Sequence, residues 1–250
     1  MPGLKKWQDL SLRIGRSGLR LLVAEDGEDD RSLLQHYLQG EPVAVQFAPN
    51  GHEAINLVVG GAEFDLILMD LDMPVLDGYA ATRQIREWQS SRGVRRTPIL
   101  ALSAHAVEEL VRASLEAGCD AHLAKPIERS VLIEAIYRYT VSDDVVKLVE
   151  QAGPSAGEEI TPDVAELVPQ YLASKWKQIE EAQGRLLVHD LEPVRRFGHN
   201  LRGTARGYGL PPLENIGRDL EIAAASQEEF RIAEQLERLR QFLNQQSMPA

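Results

Sequence analysis

Carboxylates and a lysine stand where apolar runs end in the first half of the chain. Glu25 and Asp26 directly follow one run, Asp70 follows another, and Lys125 follows the last. If the strands of a parallel sheet follow the order 2-1-3-4-5, the first and third strands are neighbours, and their carboxyl ends bring the three acids together. Adjacent negative charges repel one another, so the cluster favours a bound cation, and hard oxygen ligands with room for water favour Mg²⁺. Lys125 then supplies a positive charge for an incoming anion.

In the second half of the chain, His199 has an unusual neighbourhood. Gly203 and Gly207 follow it by one and two turns of a predicted helix and share its face. Glycine inside a helix is about 1 kcal/mol less favourable than alanine, so the missing side chains predict a surface cleared for a partner that approaches the imidazole. Four arginines surround the histidine at helical spacing: Arg195, Arg196, Arg202 and Arg206. They would offset the charge of a phosphate or of an acidic partner.

The pattern of residues 19–140 predicts the elements that position the acids. Short apolar runs alternate with stretches whose apolar residues have helical spacing, which favours a parallel sheet with helices on both sides. Two of the runs are apolar without alternation, as strands covered on both faces require. The predicted strands are Leu19–Ala24, Pro42–Ala48, Phe64–Met69, Pro98–Leu102 and Ala121–Ala124. The predicted helices are Asp29–Gln39, Gly51–Val59, Gly78–Gln89, Val107–Ala117 and Glu128–Tyr139.

After residue 140 no strand pattern returns. Residues 141–160 contain the Ser, Asp, Gly and Pro residues that are typical of a linker. Beyond them, helical spacing predicts an all-α domain whose apolar stripes suit a bundle. Its predicted helices are Pro162–Glu181, Glu192–Tyr208, Pro212–Ala225 and Glu228–Asn244. The predicted organisation is a basic N-terminal segment over residues 1–18, an α/β domain over 19–140, a linker over 141–160 and a helical domain over 161–250.

Composition restricts the function classes. The chain has 250 residues, 44% of them hydrophobic, and a formal net charge of −11. Because an acidic protein cannot displace counterions from phosphates, nucleic acid is not expected as a direct partner. No apolar run approaches the ~20 residues of a membrane span, and the single Cys119 cannot form an internal disulfide. We expect a cytoplasmic protein.

The N-terminal segment has its own pattern. Residues 4–14 place apolar side chains at helical spacing among basic ones. We expect a linker helix that packs on a neighbouring domain or on a second copy of the chain, with a membrane-surface helix as the alternative. Packing on a second copy would give a homodimer.

Four motifs of the first half resemble the receiver domain of response regulators. They are Leu21-Leu22-Val23-Ala24-Glu25-Asp26, the segment LILMDLDMPVLDG over residues 66–78, Ala101-Leu102-Ser103-Ala104 and Leu123-Ala124-Lys125-Pro126-Ile127. The resemblance implies a doubly wound, flavodoxin-like sheet of five parallel strands. It also implies the strand order 2-1-3-4-5.

The receiver resemblance implies a role for each of these polar residues. Asp70 would be the phosphoacceptor and attack a phosphorus atom. Lys125 would clamp one phosphoryl oxygen and Ser103 would hydrogen-bond another. The implied ligands of Mg²⁺ are Glu25, Asp26, Asp70 and the backbone carbonyl of Asp72. At the position of the family's aromatic switch the chain has His122, which departs from a mechanism based on rotation of a Tyr or Phe ring.

The segment around His199 resembles the histidine-containing phosphotransfer (HPt) domain, a four-helix bundle with the motif His-x-Leu-Lys/Arg-Gly-Ser/Thr/Ala. Here the motif is His199-Asn200-Leu201-Arg202-Gly203-Thr204, and the resemblance covers roughly residues 160–246. It implies that Nε2 of His199 carries the phosphoryl group and that Arg202 steadies it. Neutral imidazole is nucleophilic and titrates near physiological pH, which suits reversible transfer.

Together the two resemblances predict a phosphorelay protein in which a receiver is followed by an HPt bundle. The sequence has no recognisable ATP-binding kinase core and no DNA-binding output domain, so the expected partners are a sensor histidine kinase and other receiver or HPt domains. Two alternatives stay open. One makes the chain the C-terminal portion of a hybrid sensor kinase. The other makes the bundle a binding module that masks the acidic edge of the receiver and transfers nothing.

Overall fold

The structure, a computed structural model, describes residues 18–104, 107–140 and 162–246. The chain divides into two compact units whose boundary lies between Ser155 and Ala156. The predicted linker of residues 141–160 and the predicted N-terminal segment, apart from Gly18, lie outside the described residues. Of the helices in the described ranges, none combines the length and the apolar composition that crossing a membrane requires.

The N-terminal unit is a parallel five-stranded sheet flanked by helices. Its strands are β1 (Leu19–Ala24), β2 (Val43–Ala48), β3 (Leu66–Asp70), β4 (Ile99–Ser103) and β5 (Ala121–Ala124). Its helices are α1 (Glu28–Leu38), α2 (Gly51–Val59), α3 (Gly78–Arg92), α4 (Glu108–Ala117) and α5 (Arg129–Thr140). Neighbouring strands pair in the order β2-β1-β3-β4-β5, which confirms the predicted doubly wound sheet.

Burial explains why the strands occupy these positions. Every residue of β3 and β4 is buried, and β1 is buried except for Arg20, whereas the edge strand β2 alternates between exposed and more buried positions. A strand covered on both faces needs continuous apolar sequence, and burial of one Leu or Ile side chain contributes roughly 1.5–3 kcal/mol. A core cluster joins β1, β3 and β4 to α2 and α3.

A largely buried arginine fastens the edge of the sheet at which β4 and β5 begin. Arg86 of α3 donates from Nη1 to the carbonyl of Thr97 at 2.7 Å and from Nε to the carbonyl of Gly118 at 2.9 Å. Its Nη2 donates to Asp120 Oδ2 at 2.8 Å, and the same oxygen accepts the amide of Ile99 at 2.8 Å. Burial lowers the pKa of Arg86 to about 10 while Asp120 opposes the shift, so the guanidinium is charged at neutral pH.

The C-terminal unit is helical. After the short α6 (Pro162–Ala165) it contains α7 (Val168–Leu187), α8 (Glu192–Ala205), α9 (Pro211–Ala225) and α10 (Glu229–Gln246). Helix α8 packs on α9, α9 on α10, α10 on α7 and α7 on α8, so the four long helices form a closed ring. Their apolar faces meet in a cluster that includes Val194, Leu220 and Ile232.

Two helices of this unit differ from their predicted bounds. The helix predicted over Pro162–Glu181 is interrupted at residues 166–167, because Pro169 in the first turn of α7 has no N–H with which to continue a helix. The new helix then runs past Gly184 to Leu187. The helix predicted over Glu192–Tyr208 ends at Ala205, since Gly209 with φ 70° turns the chain and its neighbour Leu210 caps the carbonyl of Ala205.

Candidate functional site

Two neighbouring strands place acidic residues at the carboxyl edge of the sheet. Ala24, the last residue of β1, pairs with Met69 of β3, so Glu25 and Asp70 emerge side by side. Both side chains are fully buried, and Asp26 is half-buried. One carboxylate oxygen of each of the three acids lies within 4.8 Å of the oxygens of the other two. The structure therefore brings together the three acids that the sequence singles out.

Lys125, which follows the edge strand β5, contacts two of these acids. It follows β5, two strands away from β3, and its Nζ lies 2.6 Å from Glu25 Oε2 and 2.8 Å from Asp70 Oδ2. The Lys125–Pro126 peptide bond is cis. Ser103, the buried last residue of β4, accepts the amide of Lys125 on its carbonyl at 2.7 Å. Ser103 and Lys125 are therefore adjacent at this edge.

Charges and burial shift the pKa values of this cluster. Burial by itself would lower the pKa of Lys125, but the carboxylates of Asp30, Asp70 and Glu25 raise it well above its usual value, so the ammonium stays charged. Burial also raises the pKa of Glu25 well above its usual value; Lys125 opposes this shift, and Asp30 and Asp70 add to it. The cluster therefore holds closely spaced negative charges that a cation would stabilise.

Backbone groups hold two of the carboxylates in place. The amide of Asp72 donates to Asp70 Oδ1 at 3.1 Å, and the amide of Gly27 donates to Glu25 Oε1 at 3.1 Å. A Cβ atom on Gly78 would lie 2.1 Å from the carbonyl oxygen of Asp70, so a residue without a side chain is required where α3 begins. The amide of Asp72 thus holds the side chain of Asp70, and Gly78 allows the start of α3 to pack against the Asp70 carbonyl.

The donor set of this edge suits Mg²⁺. Glu25, Asp26 and Asp70 offer carboxylate oxygens close enough to share one ion. A hard divalent cation prefers such oxygens and retains several waters. Cation binding would also relieve the repulsion that contributes to the raised pKa of Glu25. The residues present therefore fit the metal that the resemblance implies.

The sequence did not single out a fourth acid of this cluster, Asp30. It lies on α1, is buried, and places its Oδ1 3.7 Å from Lys125 Nζ. Five of the six residues from Glu25 to Asp30 are acidic, so Asp30 reads in the sequence as part of a solvated charged run. The signal that could have found it is its position one helical turn beyond Asp26.

His122, at the switch position, is buried in β5. Its Nδ1 lies 3.0 Å from the hydroxyl of Ser114 on α4. That hydroxyl donates its proton to the carbonyl of Val111 at 2.7 Å, so its oxygen accepts from the imidazole and Nδ1 carries a proton. The histidine thereby ties β5 to α4.

His199 lies on α8, within the helix that the sequence predicts for it. Its Nδ1 lies 3.0 Å from Oε1 of Glu221 on α9. A carboxylate accepts hydrogen bonds, so Nδ1 carries the proton and the lone pair is on Nε2. This tautomer leaves Nε2 as the nucleophilic nitrogen of the ring.

Glu221 is another residue that the sequence did not single out. Its Oε2 lies 3.1 Å from Arg202 Nη1, so one carboxylate joins the arginine to His199. A Cβ atom on Gly198 would lie 2.5 Å from the amide nitrogen of Glu221, and one on Gly217 would lie 2.5 Å from that of Arg202. The two glycines therefore allow α8 and α9 to approach closely enough for Glu221 to reach the histidine.

The arginines around His199 each have a carboxylate close by. The pairs are Arg195 with Glu221 at 3.9 Å, Arg196 with Glu192 at 3.5 Å, Arg202 with Glu221 at 3.1 Å and Arg206 with Glu214 at 2.9 Å. A phosphoryl group on the histidine would compete with these acids for the guanidinium groups. Of the two glycines predicted to clear the face of His199, Gly203 lies on α8 and is buried, and Gly207 lies in the turn beyond the helix.

Comparison with known proteins places the N-terminal unit among described domains. Residues 21–137 match the response regulator receiver domain. The sensor histidine kinase GacS of Pseudomonas protegens is 36% identical over 211 residues, which cover 78% of this chain and 23% of that protein. The sensor protein GacS of Pseudomonas syringae is 30% identical over 216 residues, with the same shares. The chain thus spans about a quarter of the length of these relatives. The matched 78% of this chain is longer than the segment up to residue 137, so both alignments continue into its C-terminal part.

Solved receiver structures are similar to about half of the chain. The receiver domain of the sensor histidine kinase PA1611 of Pseudomonas aeruginosa, with a magnesium ion coordinated in its active site cleft, is 34% identical with a TM-score of 0.45, over 50% of this chain and 99% of that one. A chain of the Saccharomyces cerevisiae complex between Ypd1 and the receiver domain of Ssk1 is 30% identical with a TM-score of 0.47. That match covers 50% of this chain and 91% of the other.

Proposed function

Residues 21–137 belong to the response regulator receiver family, and from that premise we propose that the chain is a phosphorelay protein in which Asp70 accepts a phosphoryl group and His199 passes one on. The observation that carries the proposal is the buried arrangement of Asp70 beside Glu25, Asp26 and Lys125 at one edge of the sheet. The partners that fit this function are a sensor histidine kinase and other receiver or HPt domains.

Transfer to Asp70 is an in-line displacement at phosphorus. A carboxylate oxygen of Asp70 forms the new O–P bond while the P–N bond of a phosphohistidine breaks, and the departing imidazole nitrogen keeps the electron pair. Glu25, Asp26 and Asp70 would hold Mg²⁺, with the backbone carbonyl of Asp72 as the further ligand that the resemblance implies. When bound, the metal neutralises negative charge on the phosphoryl oxygens.

Lys125 and Ser103 would stabilise the phosphorylated aspartate. Nζ of Lys125 lies 2.8 Å from Asp70 Oδ2, so a phosphoryl group on Asp70 is within reach of the ammonium. Ser103 ends the strand beside β3, and its hydroxyl would donate a hydrogen bond to a second phosphoryl oxygen. Both groups act where charge accumulates in the transition state.

The C-terminal unit would supply the second phosphorylation site. Its closed ring of four long helices supports a four-helix bundle of the HPt type, and Glu221 favours the tautomer with the lone pair on Nε2. Attack by Nε2 forms an N–P bond while the O–P bond of a phosphoaspartate breaks, and the aspartate leaves as a carboxylate.

Phosphorylation with a small phosphodonor tests the role of Asp70. The whole chain, incubated with acetyl phosphate and Mg²⁺, should gain one phosphoryl group that mass spectrometry places on Asp70, and EDTA should prevent the gain. Asp70→Asn should abolish labelling, while Glu63→Gln, at an exposed carboxylate beyond this edge, should label like the wild type. Labelling of Asp70→Asn at the wild-type rate would refute the proposal.

Transfer from a phosphorylated receiver tests the role of His199. The wild type should acquire an acid-labile phosphoryl group on His199, and His199→Gln should lose it. His189→Gln, at an exposed histidine of the same unit, is the matched control. If the bundle only masks the acidic edge, transfer to His199 is absent in the wild type and His199→Gln changes nothing.

The relatives favour a second candidate, the receiver and HPt portion of a hybrid sensor kinase. Both GacS alignments continue beyond the receiver into the C-terminal part of this chain. The chemistry at Asp70 and His199 is the same in the two cases, but the donor differs.

Within one polypeptide, phosphorylation of Asp70 is independent of protein concentration, whereas a separate relay protein is phosphorylated at a rate that rises with its concentration. An antibody against the helical unit would show whether the cell contains a larger polypeptide.

A further inference from the structure

Asp30 belongs to the acidic cluster of the N-terminal unit but has no role in the proposed phosphorylation of Asp70. The residue lies on α1, is 6% exposed, and faces the lysine that also contacts Glu25 and Asp70. Its Oδ1 lies 3.7 Å from Lys125 Nζ, slightly farther than the oxygens of the other two acids. Lys125 therefore stands among three carboxylates, of which only Asp70 is the phosphoacceptor of the proposed reaction.

Asp30 completes a set of three carboxylates around one ammonium group. Each of the three places an oxygen within 4 Å of Lys125 Nζ: Glu25 at 2.6 Å, Asp70 at 2.8 Å and Asp30 at 3.7 Å. Arg31, the neighbouring cation on α1, donates instead to the backbone carbonyls of Glu25 and Asp26, at 2.8 and 2.9 Å. Asp30 is thus a buried negative charge aimed at the group that must bind the incoming phosphate.

We propose that Asp30 is a positioning residue that competes with Asp70 for Lys125 and, by adding a negative charge beside the metal ligands, makes the site select against strongly anionic free phosphodonors. The inference rests on the proposed phosphorylation of Asp70. Its physical basis is Coulombic: a buried charge a few ångströms from the reacting atoms repels an anionic donor and attracts a divalent cation. Asp30 should therefore affect donor reactivity and metal affinity in opposite directions.

Opposite effects separate this role from a structural one. Loss of the charge in Asp30→Asn should speed the reaction with an anionic donor, because repulsion falls and Lys125 is released toward the phosphoryl group. The same loss should weaken Mg²⁺ binding, because one attractive charge is removed. A change that merely disturbed the packing of α1 would instead weaken metal binding and slow phosphorylation together.

The experiment uses the full chain at saturating Mg²⁺ with two donors of different charge. Acetyl phosphate carries two negative charges at neutral pH, and phosphoramidate carries one net negative charge. In both reactions Asp70 forms the new O–P bond, while acetate leaves with the electrons of the broken P–O bond or ammonia leaves after the P–N bond breaks. Asp30→Asn should accelerate phosphorylation by acetyl phosphate about threefold or more and that by phosphoramidate less.

Metal binding is measured separately by isothermal titration of the same proteins without a donor. Asp30→Asn should raise the dissociation constant for Mg²⁺ about threefold or more. Glu28→Gln removes the same charge from an exposed position in the first turn of α1 and should leave both quantities near wild type. Asp30→Glu, which keeps the charge, should restore wild-type selectivity between the donors. If Asp30→Asn does not fold, Asp30→Ala carries the same two measurements.

The outcomes are distinguishable. If the wild type is phosphorylated on Asp70 but Asp30→Asn changes neither rate nor metal affinity, or lowers both, the inference is wrong and the proposed function stands. If the wild type does not accept phosphate on Asp70 from either donor, the proposed function fails and the inference fails with it. Acceleration of equal size for both donors would also overturn it, because the effect would then not depend on donor charge.

Discussion

At the scale of single residues, a carboxylate from one helix determines which nitrogen of a histidine on another carries the proton. Glu221 lies 3.0 Å from Nδ1 of His199 and 3.1 Å from Arg202, so it holds the proton on Nδ1 and the guanidinium beside the ring. The histidine motif in the sequence names His199 and Arg202 but not this carboxylate. The tautomer of the ring therefore depends on a residue 22 positions away in the chain.

Substitution of Glu221 tests this dependence. Glu221→Gln keeps a hydrogen-bond acceptor but removes the charge, and we expect phosphotransfer to His199 to slow about tenfold, since a charge-assisted hydrogen bond contributes about 1.5 kcal/mol. Single-turnover transfer from a phosphorylated receiver measures the rate. Glu214→Gln, which removes the partner of Arg206, is the control and should transfer normally. An unchanged rate in Glu221→Gln would show that the tautomer is set by another group.

Cys119 gives a second residue-scale prediction. Burial raises the pKa of its thiol, and the contact with Thr82 opposes the shift. The folded state therefore keeps the proton to higher pH than the unfolded state does, so this thiol's contribution to stability is complete below the unfolded pKa and is lost as pH rises above about 8.5.

Two measurements check the behaviour of the thiol. Iodoacetamide should modify Cys119 much more slowly in the native chain than in urea. The free energy of unfolding from urea titrations should fall between neutral and alkaline pH, and less steeply in Cys119→Ala than in the wild type. Fast alkylation of the native protein would contradict the buried, protonated thiol.

At the scale of elements, the crossing of α8 and α9 depends on two glycines in contact. In Gly198→Ala the new Cβ would lie 2.5 Å from the amide nitrogen of Glu221 and 2.8 Å from the carbonyl of Gly217, so the helices must separate. We expect a loss of about 2 kcal/mol in the free energy of unfolding, as for other overpacked contacts, together with slower transfer to His199. Urea unfolding followed by circular dichroism measures the loss.

A glycine on another helix of the same unit provides the contrast. Gly184 lies inside α7, and a Cβ there meets no atom within 4 Å. Gly184→Ala should therefore stabilise the unit by about 0.5–1 kcal/mol, because alanine loses less backbone entropy in a helix. Similar stability changes in the two variants would mean that close packing is not what requires Gly198.

The elements also show where prediction from sequence ends. Continuous apolar runs revealed β3 and β4, because strands buried on both faces leave no other composition, and the acids after β1 and β3 followed from the strand ends. Asp30 and Glu221 were not found, because their roles depend on how a helix returns to the sheet and on how two helices cross. Gly203 and Gly207 were predicted to clear the face of His199, but Gly207 lies in the turn beyond the helix. Gly198, which permits the helix crossing, was not singled out.

At the scale of the whole molecule, the chain consists of two units with separate cores. One core cluster lies in the sheet unit and another in the helical unit. We therefore expect residues 1–155 and 156–250, expressed as separate proteins, each to show a cooperative thermal transition by circular dichroism. The first should still be phosphorylated on Asp70. A piece that melts without a transition would show that its fold requires the other.

The two edges of the sheet are stabilised by different means. Where β4 and β5 begin, Arg86 donates hydrogen bonds to two carbonyls and to Asp120. Where β1 and β3 end, crowded carboxylates share a lysine. Amide hydrogen exchange should therefore respond unequally to Mg²⁺: the amides at Glu25 and Leu71 should gain protection when the metal is added, while the amide of Ile99 should exchange at one rate throughout. Hydrogen exchange at the acidic edge would then depend on metal occupancy, whereas the edge at which β4 and β5 begin would remain rigid.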